Sequence, residues 1–301
     1  MIRLFVSIAI VGPCCLAAAQ AADSPATVNA SALSEVTRTY VSQGWLVQES
    51  ASFRVFCRAD YVDARRLPSA CEALRRQLQE TWFGEATEPW SPRCDIVLHP
   101  TIAGYVRELG AASRQSSGCA TLDIEKGRVL KRRVDLRADA ADWLSSSLPH
   151  ELTHVVLAEK FAVKQIPRWA DEGMAILSEP AVRQADRRSA MQRALARAPR
   201  YAAGELLALR DYPPGDRRDA FYGQSASLVA YLIERDSPEK FLAFLQRAQE
   251  HSFDQALMDI YEIRSLADLD ARWQPQLLEH GQSAVLFAAR IARITGGRHI
   301  D

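Results

Sequence analysis

Apolar and polar residues alternate along the first half of the chain in a way that predicts β-strands. Ser52 to Cys57 alternates apolar and polar residues, and Cys94 to His99 contains a short apolar run. Two further runs flank a Glu125-Lys126-Gly127 turn and form a predicted hairpin. The predicted strands are 52–57, 94–99, 118–123 and 128–137. Between them, apolar residues recur at helical spacing over 64–82 and, more briefly, over 101–110.

The pattern changes after residue 139, where strand signals end and helical spacing continues to the C-terminus. Prolines at 167, 180, 199, 213, 214 and 238 break this half into separate helices. Strands mixed with helices, followed by helices alone, indicate the α+β class, with a small N-terminal mixed sheet and an all-helical half. We therefore divide the chain into a leader segment (22–50), a strand-containing lobe (51–139) and a helical lobe (140–301), with 51–301 as one catalytic unit.

The N-terminus has the pattern of a secretory signal peptide over residues 1–21. Arg3 gives a positive start, an apolar run follows, and Ala19-Gln20-Ala21 resembles a cleavage site. Gly12-Pro13 interrupts the apolar stretch, which is too short for a membrane-spanning helix. We expect an exported protein, periplasmic or secreted, with no stable membrane insertion after cleavage.

The net charge bears on the partners that the protein can bind, and the cysteine content bears on its disulfide bonds. The formal net charge is zero, and no basic-aromatic stripe is present, so we expect no nucleic-acid partner. Export would leave four cysteines in an oxidising compartment, where two disulfides, or one disulfide and two buried thiols, are expected. Sequence does not choose their pairing. The four are Cys57, Cys71, Cys94 and Cys119.

The residues that carry chemistry lie in the string His150-Glu151-Leu152-Thr153-His154. On a helix, two histidines four positions apart share one face, so both imidazoles can reach one zinc ion. Glu151 then lies beside the open coordination position and can act as a general base. The alternative is a pair of surface histidines with a salt-bridging glutamate.

A third ligand is expected from the segment Pro167-Arg168-Trp169-Ala170-Asp171-Glu172-Gly173. Glu172 lies 18 residues after His154, which is enough chain to end one helix, turn and return antiparallel. Gly173 has no side chain and would let this helix approach the histidine-bearing helix closely. Asp171 is the one neighbour that could replace Glu172 as ligand.

These two segments together, LPHELTHVVL and IPRWADEGMA, resemble the peptidase MA-like family of gluzincin zinc metallopeptidases. The resemblance is strongest over residues 140–180. It implies a zincin-like fold, one Zn²⁺ on His150, His154 and Glu172, Glu151 as general base, and a peptide or protein substrate. It also implies that the strand 128–137 is an edge strand, to which substrate could add. The family often has a carboxylate four residues after the ligand glutamate to hold a ligand histidine, but here that position is Ile176.

The start of the histidine-bearing helix and the group that stabilises the oxyanion each have more than one interpretation. Pro149 precedes His150, so the helix either begins or bends there. Peptide hydrolysis also needs a group that stabilises the oxyanion, and our candidate is Tyr222, because it opens the helix after the motif region. Tyr212, Tyr231 and His251 compete with it.

Three functions use such a site: a zinc metallopeptidase, a catalytically silent zinc-binding interaction module, and a zinc amidase or esterase acting on a non-peptide substrate. The retained Glu151 favours catalysis, because a purely structural metal site would not need it.

Overall fold

The computed structural model describes residues 36–58 and 66–277, and for residues 2–7 the backbone alone. The chain divides into two compact units. The first comprises residues 1–74, 88–125 and 129–143, and the second comprises 75–87, 126–128 and 144–301.

The first unit contains a mixed sheet, which has seven strands within the described residues. Its order is β1-β6-β7-β5-β4-β3-β2. The strands are β1 (Ile2–Ser7), β2 (Arg38–Ser42), β3 (Trp45–Glu49), β4 (Phe53–Cys57), β5 (Cys94–His99), β6 (Gly118–Glu125) and β7 (Arg128–Arg137). β5 is parallel to both β4 and β7, whereas β2–β3, β3–β4 and β1–β6 are antiparallel.

Parallel neighbours need crossover connections, and helices supply them. α1 (Leu67–Phe83) connects β4 to β5, and α2 (Ile102–Leu109) follows β5, capped by Thr101. β4 buries every second residue, whereas β5 is buried along almost its whole length, as a central strand should be. These elements, and the helices that follow residue 139, confirm the predicted α+β class.

The prediction that strand 128–137 is an edge strand is wrong. β7 lies between β6 and β5, and residues Arg132 to Arg137 are in register with β5. Two of its arginines form ion pairs: Arg133 contacts Asp135 and Glu108, and Arg137 contacts Asp139. The position of a strand within a sheet depends on long-range pairing, which the local pattern around residues 128–137 does not contain.

The sheet also begins earlier than predicted. The leader segment 22–50 contains β2 and β3, which extend the sheet beyond the first strand expected at 52–57. Of the predicted signal peptide, the backbone of Ile2–Ser7 pairs with β6, and residues 1 and 8–21 lie outside the described residues. Its cleavage stays a prediction. Among the described residues, no helix is long and apolar enough to cross a membrane.

The four cysteines are not disulfide-bonded. Cys57, Cys71, Cys94 and Cys119 lie on β4, α1, β5 and β6, and all are buried thiols. Burial raises the pKa of the Cys57 thiol to about 11, and it raises the pKa of Cys94 well above its usual value. They therefore act as small apolar core residues, since the reactive thiolate form is suppressed.

The second unit is helical, and its helices begin where the prolines predict. Pro167, Pro180 and Pro214 each lie directly before a helix, and Pro238 lies in the first turn of another, where a missing N–H costs nothing. The helices are α3 (Leu148–Lys160), α4 (Arg168–Leu177), α5 (Ala181–Leu195), α6 (Ala203–Ala208), α7 (Gly215–Glu234), α8 (Pro238–Glu250), α9 (Phe253–Tyr261) and α10 (Leu266–Trp273).

Glycine allows the central helices of this unit to approach closely. A Cβ on Gly173 of α4 would lie 2.5 Å from Val229 Cγ2 and 2.6 Å from the Ser225 carbonyl oxygen, both on α7. Gly173 therefore faces α7, and the prediction that it faces the histidine-bearing helix is wrong. On the opposite side of α7, Gly223 similarly admits the side chain of Met191 from α5.

We predict that Gly173→Ala lowers the free energy of unfolding by about 1–3 kcal/mol, because the backbone of α7 would have to move. Thermal unfolding measures the effect. Gly204→Ala is the matched control, since a Cβ there meets only Leu266 Cδ1 at 3.5 Å and should be neutral or slightly stabilising. Equal melting temperatures for the two variants would contradict the close α4–α7 contact.

Candidate metal centre

Two buried histidines lie one turn apart on α3. A π-helical turn over Trp143–Ser147 leads into α3, which begins at Leu148 with Pro149 in its first turn. The α-helix thus starts one residue before the proline, and Ser147 in the αR region continues the helical backbone into the π-helical turn. His150 and His154 are each 1% exposed, and their ring centroids are 4.9 Å apart. The spacing of four residues thus places both imidazoles on one face.

Glu172 of α4 completes a group of three converging ligand atoms. Its Oε2 lies 3.5 Å from His150 Nε2 and 3.9 Å from His154 Nε2. One ligand atom from each residue lies within 4.8 Å of the others, so the group can hold a metal ion. These three atoms are buried and have no hydrogen-bond partner among the described residues. Buried polar atoms are rarely left unpaired, and a shared cation would satisfy all three.

The other ring nitrogen of each histidine donates to a carboxylate. His150 Nδ1 donates to Glu179 Oε1 at 2.7 Å, and His154 Nδ1 donates to Asp171 Oδ1 at 2.8 Å. An ionised carboxylate only accepts, so each Nδ1 carries a proton. In the neutral imidazole, Nε2 then presents its lone pair to the centre, which is the form that binds a metal. Asp171 therefore contacts the far side of His154, and Glu172, not Asp171, faces the two Nε2 atoms.

Glu179 is a site residue that the sequence analysis missed. It lies seven residues after Glu172, two helical turns along the same face, although α4 ends at Leu177. A search at that spacing for the carboxylate absent from Ile176 would have found it. Arg187 of α5 fixes Glu179 through Nη2 at 2.5 Å and Nε at 3.3 Å. Burial alone would raise the pKa of Glu179, but Arg187 and His150 outweigh it and lower the pKa to about 2.

Tyr212 holds the second oxygen of Glu172. Its hydroxyl donates to Glu172 Oε1, which leaves Oε2 facing the histidines. Burial and the Glu172 charge raise the pKa of Tyr212 well above its usual value, so the hydroxyl keeps its proton and remains a donor. The Tyr212 hydroxyl therefore serves to position Glu172.

The charges around the histidines favour a cation. Four buried carboxylates meet one buried guanidinium, and Arg168, half-buried, adds a second positive charge 3.6 Å from Asp171. Burial lowers the pKa of His150, but the nearby carboxylates of Glu172 and Glu179 outweigh it and raise the pKa to about 9. The pocket thus attracts positive charge, and a divalent ion suits it. The carboxylates are Glu151, Asp171, Glu172 and Glu179, and the buried guanidinium is Arg187.

Of the four candidates for stabilising an oxyanion, Tyr222 alone keeps a buried hydroxyl without a hydrogen-bond partner among the described residues. Burial and the charge of Glu172 raise its pKa well above the usual value, and Glu151 adds to this effect. Tyr212 binds Glu172, and Tyr231 accepts from Arg235. His251 is exposed beside Arg247 at the end of α8.

Comparison with known families agrees with this geometry. A model of the peptidase MA superfamily matches residues 132–279, which include α3, α4 and every residue of the candidate centre. This part of the chain belongs to the peptidase MA superfamily. The match supports a peptidase-type hydrolase in general, and the group of His150, His154 and Glu172 in this region could hold a metal ion. A comparison with curated proteins finds none that matches the chain.

We predict that Glu179→Gln weakens the binding of a divalent metal about 10–100-fold, because the positions of His150 and Arg187 both depend on this carboxylate. Metal competition titration with a chromophoric chelator measures the affinity. Glu250→Gln, an exposed glutamate at the end of α8, is the control and should leave the affinity unchanged. Equal affinities in both variants would contradict the positioning role of Glu179.

Proposed function

We propose that this protein is an exported zinc-dependent metallopeptidase, with His150, His154 and Glu172 as zinc ligands and Glu151 as general base. The convergence of three buried, unpartnered ligand atoms carries the proposal. Two imidazoles and one carboxylate form a donor set that suits catalytic zinc, which keeps a fourth position for water or substrate. The export part rests on the N-terminal signal-peptide pattern.

When bound, zinc would polarise the scissile carbonyl and lower the pKa of a water molecule. Glu151 follows the first histidine on α3 and is completely buried. Its carboxylate would accept a proton from the attacking water and pass it to the nitrogen of the leaving amine. The Tyr222 hydroxyl would donate to the oxyanion that develops on the carbonyl oxygen.

The buried Glu151 favours catalysis over the catalytically silent zinc-binding module. Burial of a carboxylate is costly, and the three ligand atoms plus their partners already account for a structural metal site. A zinc amidase or esterase would use the same residues, so the substrate distinguishes it from a peptidase. Digestion of a proteome-derived peptide library by the purified protein tests this directly. Cleavage of simple amides or esters without cleavage of any peptide would favour the zinc amidase or esterase.

We predict that Glu151→Gln retains one zinc per chain and lowers peptide hydrolysis at least 100-fold, because the amide cannot accept the proton. Metal content is measured by mass spectrometry and turnover with a peptide found in the library digest. Glu159→Gln, on the same helix eight residues further, should retain both zinc and activity. Full activity in Glu151→Gln would rule out its role as base.

We also predict that Tyr222→Phe lowers kcat about 100–1,000-fold with zinc retained, since one oxyanion donor is lost. Tyr261→Phe is the matched control, because it removes another buried hydroxyl, on α9, that has no hydrogen-bond partner in the described part of the chain. Unchanged turnover in Tyr222→Phe would remove it from the mechanism.

A further inference from the structure

Arg168, the first residue of α4, carries a guanidinium that makes no hydrogen bond to any described residue. Its ion pair with Asp171 joins Nη1 and Oδ2 at 3.6 Å, which is too long for a hydrogen bond. Nε is fully buried and also has no partner in the described part of the chain. A guanidinium has five N–H donors, so one that donates to nothing indicates a missing partner.

The terminal nitrogens of Arg168 can be reached from solvent. The side chain is 18% exposed; Nε is covered, whereas Nη1 and Nη2 keep accessible surface. The ring of Tyr212 holds the guanidinium in place, with the Arg168 Cζ atom 4.9 Å from the ring centroid. This contact with the face of the ring uses no N–H donor. The donors at the tip are therefore held in position and free to bind a ligand that arrives from solvent.

Arg168 lies next to the candidate metal centre. It precedes Glu172 by four positions on α4, so both side chains lie on one face of the helix. Tyr212 donates to Glu172 Oε1, and its ring centroid lies 6.2 Å from that of Tyr222. The Arg168 guanidinium is therefore no farther from the Tyr222 ring than these two ring contacts combined, a span of about three residues of extended chain.

A carboxylate is the partner that fits these donors. Two terminal nitrogens of one guanidinium can donate to the two oxygens of a carboxylate in parallel, whereas a single carbonyl oxygen would leave one of them unused. Asp171 does not fill this role, because its Oδ1 accepts from His154 and its Oδ2 lies beyond hydrogen-bond length from Arg168. A carboxylate brought by a ligand would satisfy both terminal nitrogens and add a second negative charge beside Arg168.

We propose that Arg168 is a substrate-binding residue that selects peptides with a carboxylate within about three residues of the scissile bond. The proposal rests on the proposed peptidase function, in which Tyr222 marks the position of the scissile carbonyl. The two carboxylate oxygens accept from Nη1 and Nη2 of Arg168. An acidic side chain and a free C-terminus offer the same group, so both are carried into the test.

The test begins with the cleavage sites that the wild-type protein chooses in a proteome-derived peptide library. We expect sites with an acidic residue or a free C-terminus within three positions to be enriched. For one cleaved peptide, kcat/KM is then compared with that of its neutral analogue, made by glutamate-to-glutamine exchange or by amidation of the C-terminus. The exchange that removes the bound carboxylate should lower kcat/KM about 10–100-fold, and it tells the two sources apart.

Arg168→Gln should remove the difference between the carboxylate peptide and its neutral analogue. Arg183→Gln is the matched control, because Arg183 forms an ion pair with Asp186 at the same spacing on α5, and it should retain the difference. A merely structural role of Arg168 would lower both peptides equally and keep their ratio. Metal content by mass spectrometry and melting temperatures verify that the variants are loaded and folded.

Binding gives a second measurement that does not depend on turnover. In the Glu151→Gln background, calorimetry should show the carboxylate peptide binding about tenfold more tightly than its neutral analogue, and adding Arg168→Gln should abolish this difference. A preference that survives Arg168→Gln, or cleavage without any preference, would overturn the role of Arg168 and leave the peptidase proposal intact. A library left uncut by the wild-type protein would contradict the peptidase proposal, and this inference with it.

Discussion

The direction in which the two imidazole rings point is set by buried carboxylates that accept from Nδ1. Glu179 holds His150 and Asp171 holds His154, and each contact leaves the Nε2 lone pair facing Glu172. Without these contacts, a spacing of four residues would bring the rings together but would not choose which nitrogen faces inwards. Tyr212 does the same for the third residue, since it occupies one carboxylate oxygen and leaves the other for the centre. The orientation of the two rings and the convergence of the three ligand atoms therefore depend on one layer of residues behind the ligands, formed by Glu179, Asp171 and Tyr212.

That layer is in turn held by helix packing. α4 carries Asp171 and Glu172, and its distance from α7 is fixed by Gly173, where the Ser225 carbonyl leaves no space for a Cβ. α7 also carries Tyr222 and, through Gly223, admits Met191 of α5, the helix that supplies Arg187. Ligand, oxyanion candidate and guanidinium thus come from three helices, of which α7 packs against both α4 and α5, so close packing determines their relative positions.

The sequence was sufficient for features that depend on local periodicity or on single residues. The α+β class, the proline-defined helix starts and the His150–His154 face follow from spacing within one or two turns. Contacts between distant segments were not predictable: the interior position of β7 and the direction of Gly173 both depend on which elements meet. Glu179 lies between these two cases. Its spacing from Glu172 can be read from the sequence, but its contact with His150 joins residues that are 29 positions apart. The absence of disulfides among the four cysteines differs from expectation, because an even number of cysteines and an oxidising compartment do not decide whether two thiols approach each other.

The position of Glu179 just beyond the end of α4 makes the chain unequally tolerant of changes in length. The connection at 161–167 can gain or lose residues if α4 stays against α7, because the contact at Gly173, not the connection, sets where Asp171 and Glu172 lie. One residue inserted within α4 after Glu172 would instead rotate the end of the helix, and with it Glu179, by about 100° around the helix axis, away from His150. Homologous sequences should therefore vary in length before Pro167 and keep a constant number of residues from Pro167 to Glu179.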